Sequence, residues 1–114
     1  MTITFEKLRQ LALALPGVEE GTSYGTPAFR VKGKFFARLW EDGEVLVVKV
    51  GFDESEMLRN ADPETFFLTD HYRGYPSVLV RLSTVGVERL REVLEQGWRF
   101  NAPKRLLAAH DKEP

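Results

Sequence analysis

The feature that most constrains this chain is a pair of alternating runs set around an Asp-Gly dipeptide. Phe35, Ala37 and Leu39 alternate with Lys34, Phe36, Arg38 and Trp40 on one side. Val45, Val47 and Lys49 alternate with Leu46, Val48 and Val50 on the other. Period-two alternation is the mark of a half-buried strand, and Asp42-Gly43 is a strong signal for a two-residue type I′ hairpin, whose central positions need φ > 0. With that turn as the loop, Leu39 pairs with Leu46, Ala37 with Val48 and Phe35 with Val50, all apolar on one face. Trp40 then pairs with Val45, Arg38 with Val47 and Phe36 with Lys49 on the other. A register that sorts both strands this cleanly fixes the hairpin, because a slip of one residue would turn every side chain to the wrong face.

A further strand precedes it. Phe29 and Val31 alternate with Arg30 and Lys32 across Ala28 to Lys32. Two loops can join it to the hairpin. A two-residue Lys32-Gly33 loop puts Phe29 on the outer face opposite Phe36. A three-residue loop, Lys32 to Lys34, pairs Phe29 with Ala37 and Val31 with Phe35, and is preferred because it keeps one face apolar.

Helical spacing frames the meander. Phe5, Leu8, Leu11, Ala12 and Leu15 mark a helix over about Thr4 to Leu15, with Thr4 as cap and Pro16-Gly17 as stop. Val18 to Thr26 reads as a polar connection. Asp53 with Glu56 three residues on reads as a capping box opening a short helix through Asn60. Thr65 to Leu68 suits a short strand, Thr69 to Pro76 a loop, and Ser77 to Leu82 a strand with Val78, Val80 and Leu82 on one side. Ser83 or Thr84 caps a helix striped by Val87, Leu90, Val93, Leu94 and Trp98, and Pro103 opens a last helix ending near His110. The expectation is a single α+β domain over residues 1–114, an antiparallel sheet with N- and C-terminal helices packed on one face.

Composition narrows the function. With 16 Lys and Arg against 17 Asp and Glu the net charge is −1, which disfavours a generic polyanion binder. No cysteine is present, so thiolate metal sites, disulfides and cysteine nucleophiles are excluded. His71 and His110 are the sole histidines and are not spaced as ligands, so neither a metal nor another cofactor is expected. No apolar run spans a membrane and the start lacks a signal-peptide plan, so a cytoplasmic location is expected. No glycine-rich phosphate loop or nucleophile elbow appears, and a non-enzyme is the expectation.

One surface stands out. The alternation collects Arg30, Arg38, Lys49 and Arg81 on the outer sheet face with Phe36 and Trp40 among them, and puts Lys32 and Lys34 at a loop tip. Cations meet phosphates, and exposed rings stack on unpaired bases. The same pattern also describes a solvated face whose Lys and Arg stems lie over apolar neighbours. Acidic residues are segregated, with Glu41, Asp42 and Glu44 at one turn and Asp53, Glu54, Glu56, Asp62 and Glu64 around the short helix. That bipolarity lets one side meet a polyanion despite the near-zero total. Arg73 sits in the loop Asp70 to Pro76, which packs its own aromatics or contacts a ligand. A second reading takes Phe36, Trp40, Val45 and Val47 as an apolar patch for a protein partner or a homodimer.

Several segments together resemble the MmcQ/YjbR family. Leu15-Pro16-Gly17-Val18-Glu19-Glu20, Tyr24-Gly25-Thr26-Pro27-Ala28-Phe29 and Val31-Lys32-Gly33-Lys34-Phe35-Phe36-Ala37 are similar to its N-terminal half. His71-Tyr72-Arg73-Gly74-Tyr75-Pro76, Val80-Arg81-Leu82 and Trp98-Arg99-Phe100-Asn101-Ala102-Pro103-Lys104 are similar to its C-terminal half. The resemblance implies a CyaY-like α+β fold and DNA binding through strands and wing-like hairpins, with no defined catalytic residues and no cofactor. It departs at Tyr75-Pro76, where many members carry a Trp after the glycine.

Overall fold

The computed structural model describes residues 2–23, 25–40 and 42–111, so Tyr24 and Glu41 of the segments above lie outside the described residues. The elements in order are α1 (Phe5–Leu13), β1 (Val18–Ser23), β2 (Thr26–Val31), β3 (Lys34–Leu39) and β4 (Val45–Lys49). Then come α2 (Phe52–Ala61), β5 (Phe66–Phe67), a 3-10 turn (Asp70–Tyr72), β6 (Ser77–Arg81), α3 (Val87–Asn101) and α4 (Lys104–Asp111). The six strands form one sheet in the order β1-β2-β3-β4-β6-β5, and every described pairing is antiparallel. The fold is α+β, as the alternation and helix stripes predict.

One face of the sheet carries the main core. Leu8, Leu11 and Ala12 of α1 and Leu90, Val93, Leu94 and Trp98 of α3 pack on Phe29, Val31, Ala37, Leu46, Val48, Val78 and Val80. Thr4 caps α1 by accepting a hydrogen bond from the Lys7 amide at 3.2 Å. Trp98 is fully buried, and its indole N–H donates to the Pro16 carbonyl at 2.8 Å, tying α3 to the turn after α1. Gly97 lets α3 lie close to the sheet, since a Cβ there would stand 2.7 Å from Val48 Cγ1.

Five details depart from the sequence reading. Val18 to Ser23 is not a connection but an edge strand paired from Val18–Val31 to Ser23–Thr26. Its exposed Glu19 and Glu20 keep the free edge charged, which discourages pairing with another chain. The Asp42-Gly43 hairpin keeps its expected register, with Ala37–Val48, Arg38–Val47 and Leu39–Leu46 opposite one another. Its turn is not closed as a two-residue Asp42-Gly43 loop, however: among the described residues Trp40 and Val45 are its last bonded pair, Gly43 is at φ +73°, the Gly43 amide donates to the Trp40 carbonyl and the Asp42 carboxylate accepts from the Glu44 amide, each bond at 2.9 Å. The short helix begins at Phe52 behind Gly51, so Asp53 lies in its first turn rather than capping it. Gly86, not Ser83 or Thr84, stands at the N-cap of α3.

The remaining departure moves a candidate binding residue. The loop between β2 and β3 is the two-residue Lys32-Gly33 turn, with both φ values positive at 50° and 84°. Val31 accordingly pairs with Lys34 and Arg30 with Phe35, yet Phe29 still pairs with Ala37. Phe36 is the extra residue, a β-bulge that absorbs the mismatch. On both sides of the bulge the apolar set of β2 stays in the core. The cost is a break in the alternation of β3: Phe36 and Ala37 are both fully buried, and Phe35 is turned to the outer face.

Candidate nucleic-acid interface

Residues directly opposite on paired strands share a face. Arg30 stands opposite Phe35 and Glu19, Arg38 opposite Ala28 and Val47, Lys49 opposite Ser77, and Arg81 opposite Val45. All four cations therefore lie on the face turned away from the main core. This face is not open. Val45, Val47 and Leu79 form a second buried cluster, covered by Trp40, Phe67, Leu68 and Tyr72. The segment after β5 folds back over the middle of the sheet and buries it.

That covering segment builds the walls of a groove. Tyr72 accepts a hydrogen bond from Arg38 Nη2 at 2.9 Å, and Arg38 Nη1 lies 3.4 Å from the Thr26 hydroxyl. The Thr26 hydroxyl in turn donates to the Ser23 carbonyl at 2.9 Å, so Arg38 ties the loop to the β1–β2 hairpin. Around it runs an array of rings. Tyr72 is 6.5 Å from Trp40, His71 meets Tyr72 edge-on at 5.0 Å, and His71 stacks with Tyr75 at 6.2 Å. Two adjoining cavities flank the Arg38–Tyr72 link. One of about 560 Å³ is lined by Arg38, Trp40, Asp42, Thr69, His71 and Tyr72. The other, of about 570 Å³, shares Arg38, His71 and Tyr72 and adds Ser23, Phe35, Lys49, Tyr75 and Ser77 among its walls.

The structure divides the candidate residues. Arg38, Trp40 and Lys49 meet in the groove, and Arg30 sits beside Phe35 on the same face. Arg81 lies farther along, its guanidinium 4.1 Å from the centre of the Phe67 ring. Lys32 belongs elsewhere: it leans toward Gly17 and lines a cavity with Pro103, Arg105 and Leu106 of the C-terminal segment. Lys34, opposite the core residue Val31, is exposed at the same turn. Arg73 pairs with Asp70 at 3.0 Å, an exposed pair worth at most about 1 kcal/mol.

Phe36 is a correction, since the bulge buries it under α3 and it cannot stack on anything outside. Its place is taken by Phe35, which the unbroken alternation had assigned to the core. The bulge at Phe36 and the covering of Val45 and Val47 by Trp40, Phe67, Leu68 and Tyr72 together remove the apolar docking patch read from the sequence. Phe36 is 0% exposed, Val47 1% and Val45 6%, so three of its four residues are inside the protein. The loop residues His71, Tyr72 and Tyr75 were recognisable as a possible contact loop, but not as the wall facing Arg38.

Among the described residues no group of three His, Asp or Glu side chains is placed to hold a metal ion. The arrangement offers cations, ring faces and two concavities, which are means of binding. The YjbR family profile matches residues 13–100 of the chain. The chain belongs to the YjbR family. Every element that builds the groove falls inside the matched span, and α4 falls outside it.

A solved structure agrees with the architecture. The crystal structure of a Deinococcus radiodurans protein with a DUF419 domain superposes with a TM-score of 0.72. It is 28% identical and the match covers 85% of this chain and 77% of that one. Proteins of Mycobacterium tuberculosis and Mycobacterium bovis, described as uncharacterized, are 38% identical over 68 residues. That match covers 59% of this chain and 53% of each relative, so it spans about half their length. Among the described residues no helix is long and apolar enough to cross a membrane.

Proposed function

We propose that this YjbR-family protein is a non-catalytic DNA-binding domain, and that the groove on the outer sheet face is its contact surface. The observation that carries the reading is the convergence of Arg38 and Lys49 with Trp40, Phe35, His71, Tyr72 and Tyr75 around two adjoining cavities. Cations attract the backbone phosphates and supply most of the affinity, while ring faces hold bases. Arg30 extends the positive track along β2. Two carboxylates border it, Asp42 in the wall of the first cavity and Glu19 opposite Arg30, whereas Asp53, Glu54 and Glu56 lie on α2 and line neither cavity. A net charge of −1 is thus compatible with a face that meets a polyanion.

The test is fluorescence anisotropy of labelled DNA with the wild-type protein, at low and at physiological salt. Binding should weaken as salt rises, with a log–log slope of roughly −0.7 to −0.9 per phosphate neutralised. The double variant Arg38→Ala/Lys49→Ala, checked for folding by circular dichroism, should bind more weakly and with a shallower slope. Equal affinity of wild type and a folded double variant would remove the groove from the assignment.

A further inference from the structure

Resting on the DNA-binding reading, we infer that the groove is built for unpaired nucleotides: two bases of a single strand, one on each side of Tyr72. Each cavity, at about 560 and 570 Å³, lies within the roughly 300–1,000 Å³ of small-ligand sites. Each also has its own ring: Trp40 in the first, Phe35 and Tyr75 in the second. A base can lie against such faces only if it has left its own stack, which a single strand permits at little cost. The partition is fixed in place, because the Tyr72 hydroxyl is held by Arg38 at 2.9 Å and Arg38 reaches Thr26 across the groove. Lys49, in the wall of the second cavity, supplies a cation for the phosphate that precedes or follows the inserted base.

The same surface is poorly made for a duplex. Reading a major groove about 12 Å wide requires a protruding helix or two-stranded ribbon. Here α1 and α3 pack on the opposite face of the sheet, and the outer face is recessed beneath the loop that carries Tyr72. The ribbon bordering the first cavity is the β3–β4 hairpin, and its turn carries Asp42 and Glu44, which repel phosphates. A flexible strand can enter at Lys49 and turn its bases inward, so that a base and not a row of phosphates meets Asp42 in the first cavity, whereas a rigid duplex brings both of its phosphate rows with it.

Three labelled probes of one length separate the possibilities: a single strand, its duplex, and an abasic strand with the same phosphates and no bases. The single strand should bind about tenfold or more tighter than the other two, the difference being the stacking of inserted bases. Binding should also quench tryptophan fluorescence through Trp40, since Trp98 is fully buried. Tyr75→Ala, at a side chain 55% exposed, should weaken single-strand binding about tenfold without changing its salt slope. Phe35→Ala should act in the same direction, which guards against a local effect of one variant. Duplex or abasic binding as tight as the single strand would overturn base insertion while leaving DNA binding intact. Failure of all three probes to bind at low salt would overturn both.

Discussion

Gly97→Ala sets two effects of known sign against each other. In the interior of α3, replacing glycine by alanine should favour the helix by about 1 kcal/mol, because glycine loses the most backbone freedom on folding. The added Cβ, however, would stand 2.7 Å from Val48 Cγ1, 3.4 Å from Phe36 Cδ2 and 3.5 Å from the Lys49 carbonyl oxygen. Val48 and Phe36 are both fully buried. Val48 is β-branched and cannot swing aside, and the carbonyl belongs to the sheet, so the helix must move out instead. Overpacking of this kind costs about 1–3 kcal/mol, and so close a contact belongs in the upper part of that range. The net is a loss of about 1–2 kcal/mol, or a fall in Tm of roughly 5–10 °C by thermal denaturation. Removing the clashing methyls reverses the sign. In a Val48→Ala background Gly97→Ala should be neutral or stabilising by up to about 1 kcal/mol, giving a coupling of about 2 kcal/mol in a double-mutant cycle. A single Gly97→Ala variant more stable than wild type would refute the close approach of α3 to β4.

Two further outcomes follow from the fold. Phe36→Ala should destabilise by about 3–5 kcal/mol in chemical denaturation, whereas Phe35→Ala should cost about 1 kcal/mol or less; the reverse ranking would place the bulge wrongly. The Arg99 guanidinium, hydrogen-bonded to Asp111 at 2.9 Å, holds that carboxyl below its usual value of 3.8. A depressed carboxyl contributes its tie above that usual value and loses it as pH falls through the depressed one. Acidification below 3.8 should therefore loosen α4 before α3, read as falling {1H}–15N NOE values over residues 104–111, and Asp111→Asn should show the loosened α4 at neutral pH.

Sequence pattern alone carries much of this architecture, and its failures have physical causes. The β3–β4 register is legible because the apolar pairs Leu39–Leu46 and Ala37–Val48 fix it next to the turn; the third expected pair, Phe35–Val50, is lost to the bulge that turns Phe35 outward. The β2–β3 loop is not, because its two candidate forms trade a residue between loop and strand. The molecule takes the shorter loop and inserts Phe36 as a bulge, a solution that leaves no mark in the alternation. Strand β1 is hidden because an edge strand facing solvent can be written in Glu, Gly, Thr and Ser, residues that otherwise signal a connection. On the outer face, the cations Arg30, Arg38 and Lys49 follow from strand alternation, and the pairings put all three there. The wall opposite them is different in kind. His71, Tyr72 and Tyr75 lie on or beside a 3-10 turn, where neither period two nor period 3.6 says which way a ring points. Their positions depend on the burial of Val45, Val47 and Leu79 beneath that segment and on the Arg38–Tyr72 hydrogen bond.

The central claim is that DNA lies in the groove between the outer sheet face and the Tyr72 segment. Its most direct test is a titration of isotopically labelled protein with a short single-stranded oligonucleotide, followed by amide and side-chain chemical shifts. The account predicts shifts concentrated in Phe35 to Trp40, at Lys49 and over Thr69 to Ser77, including the Trp40 indole, with α1 and α4 unmoved. Shifts confined to α4 and the Lys32-Gly33 turn, with the groove silent, would contradict it.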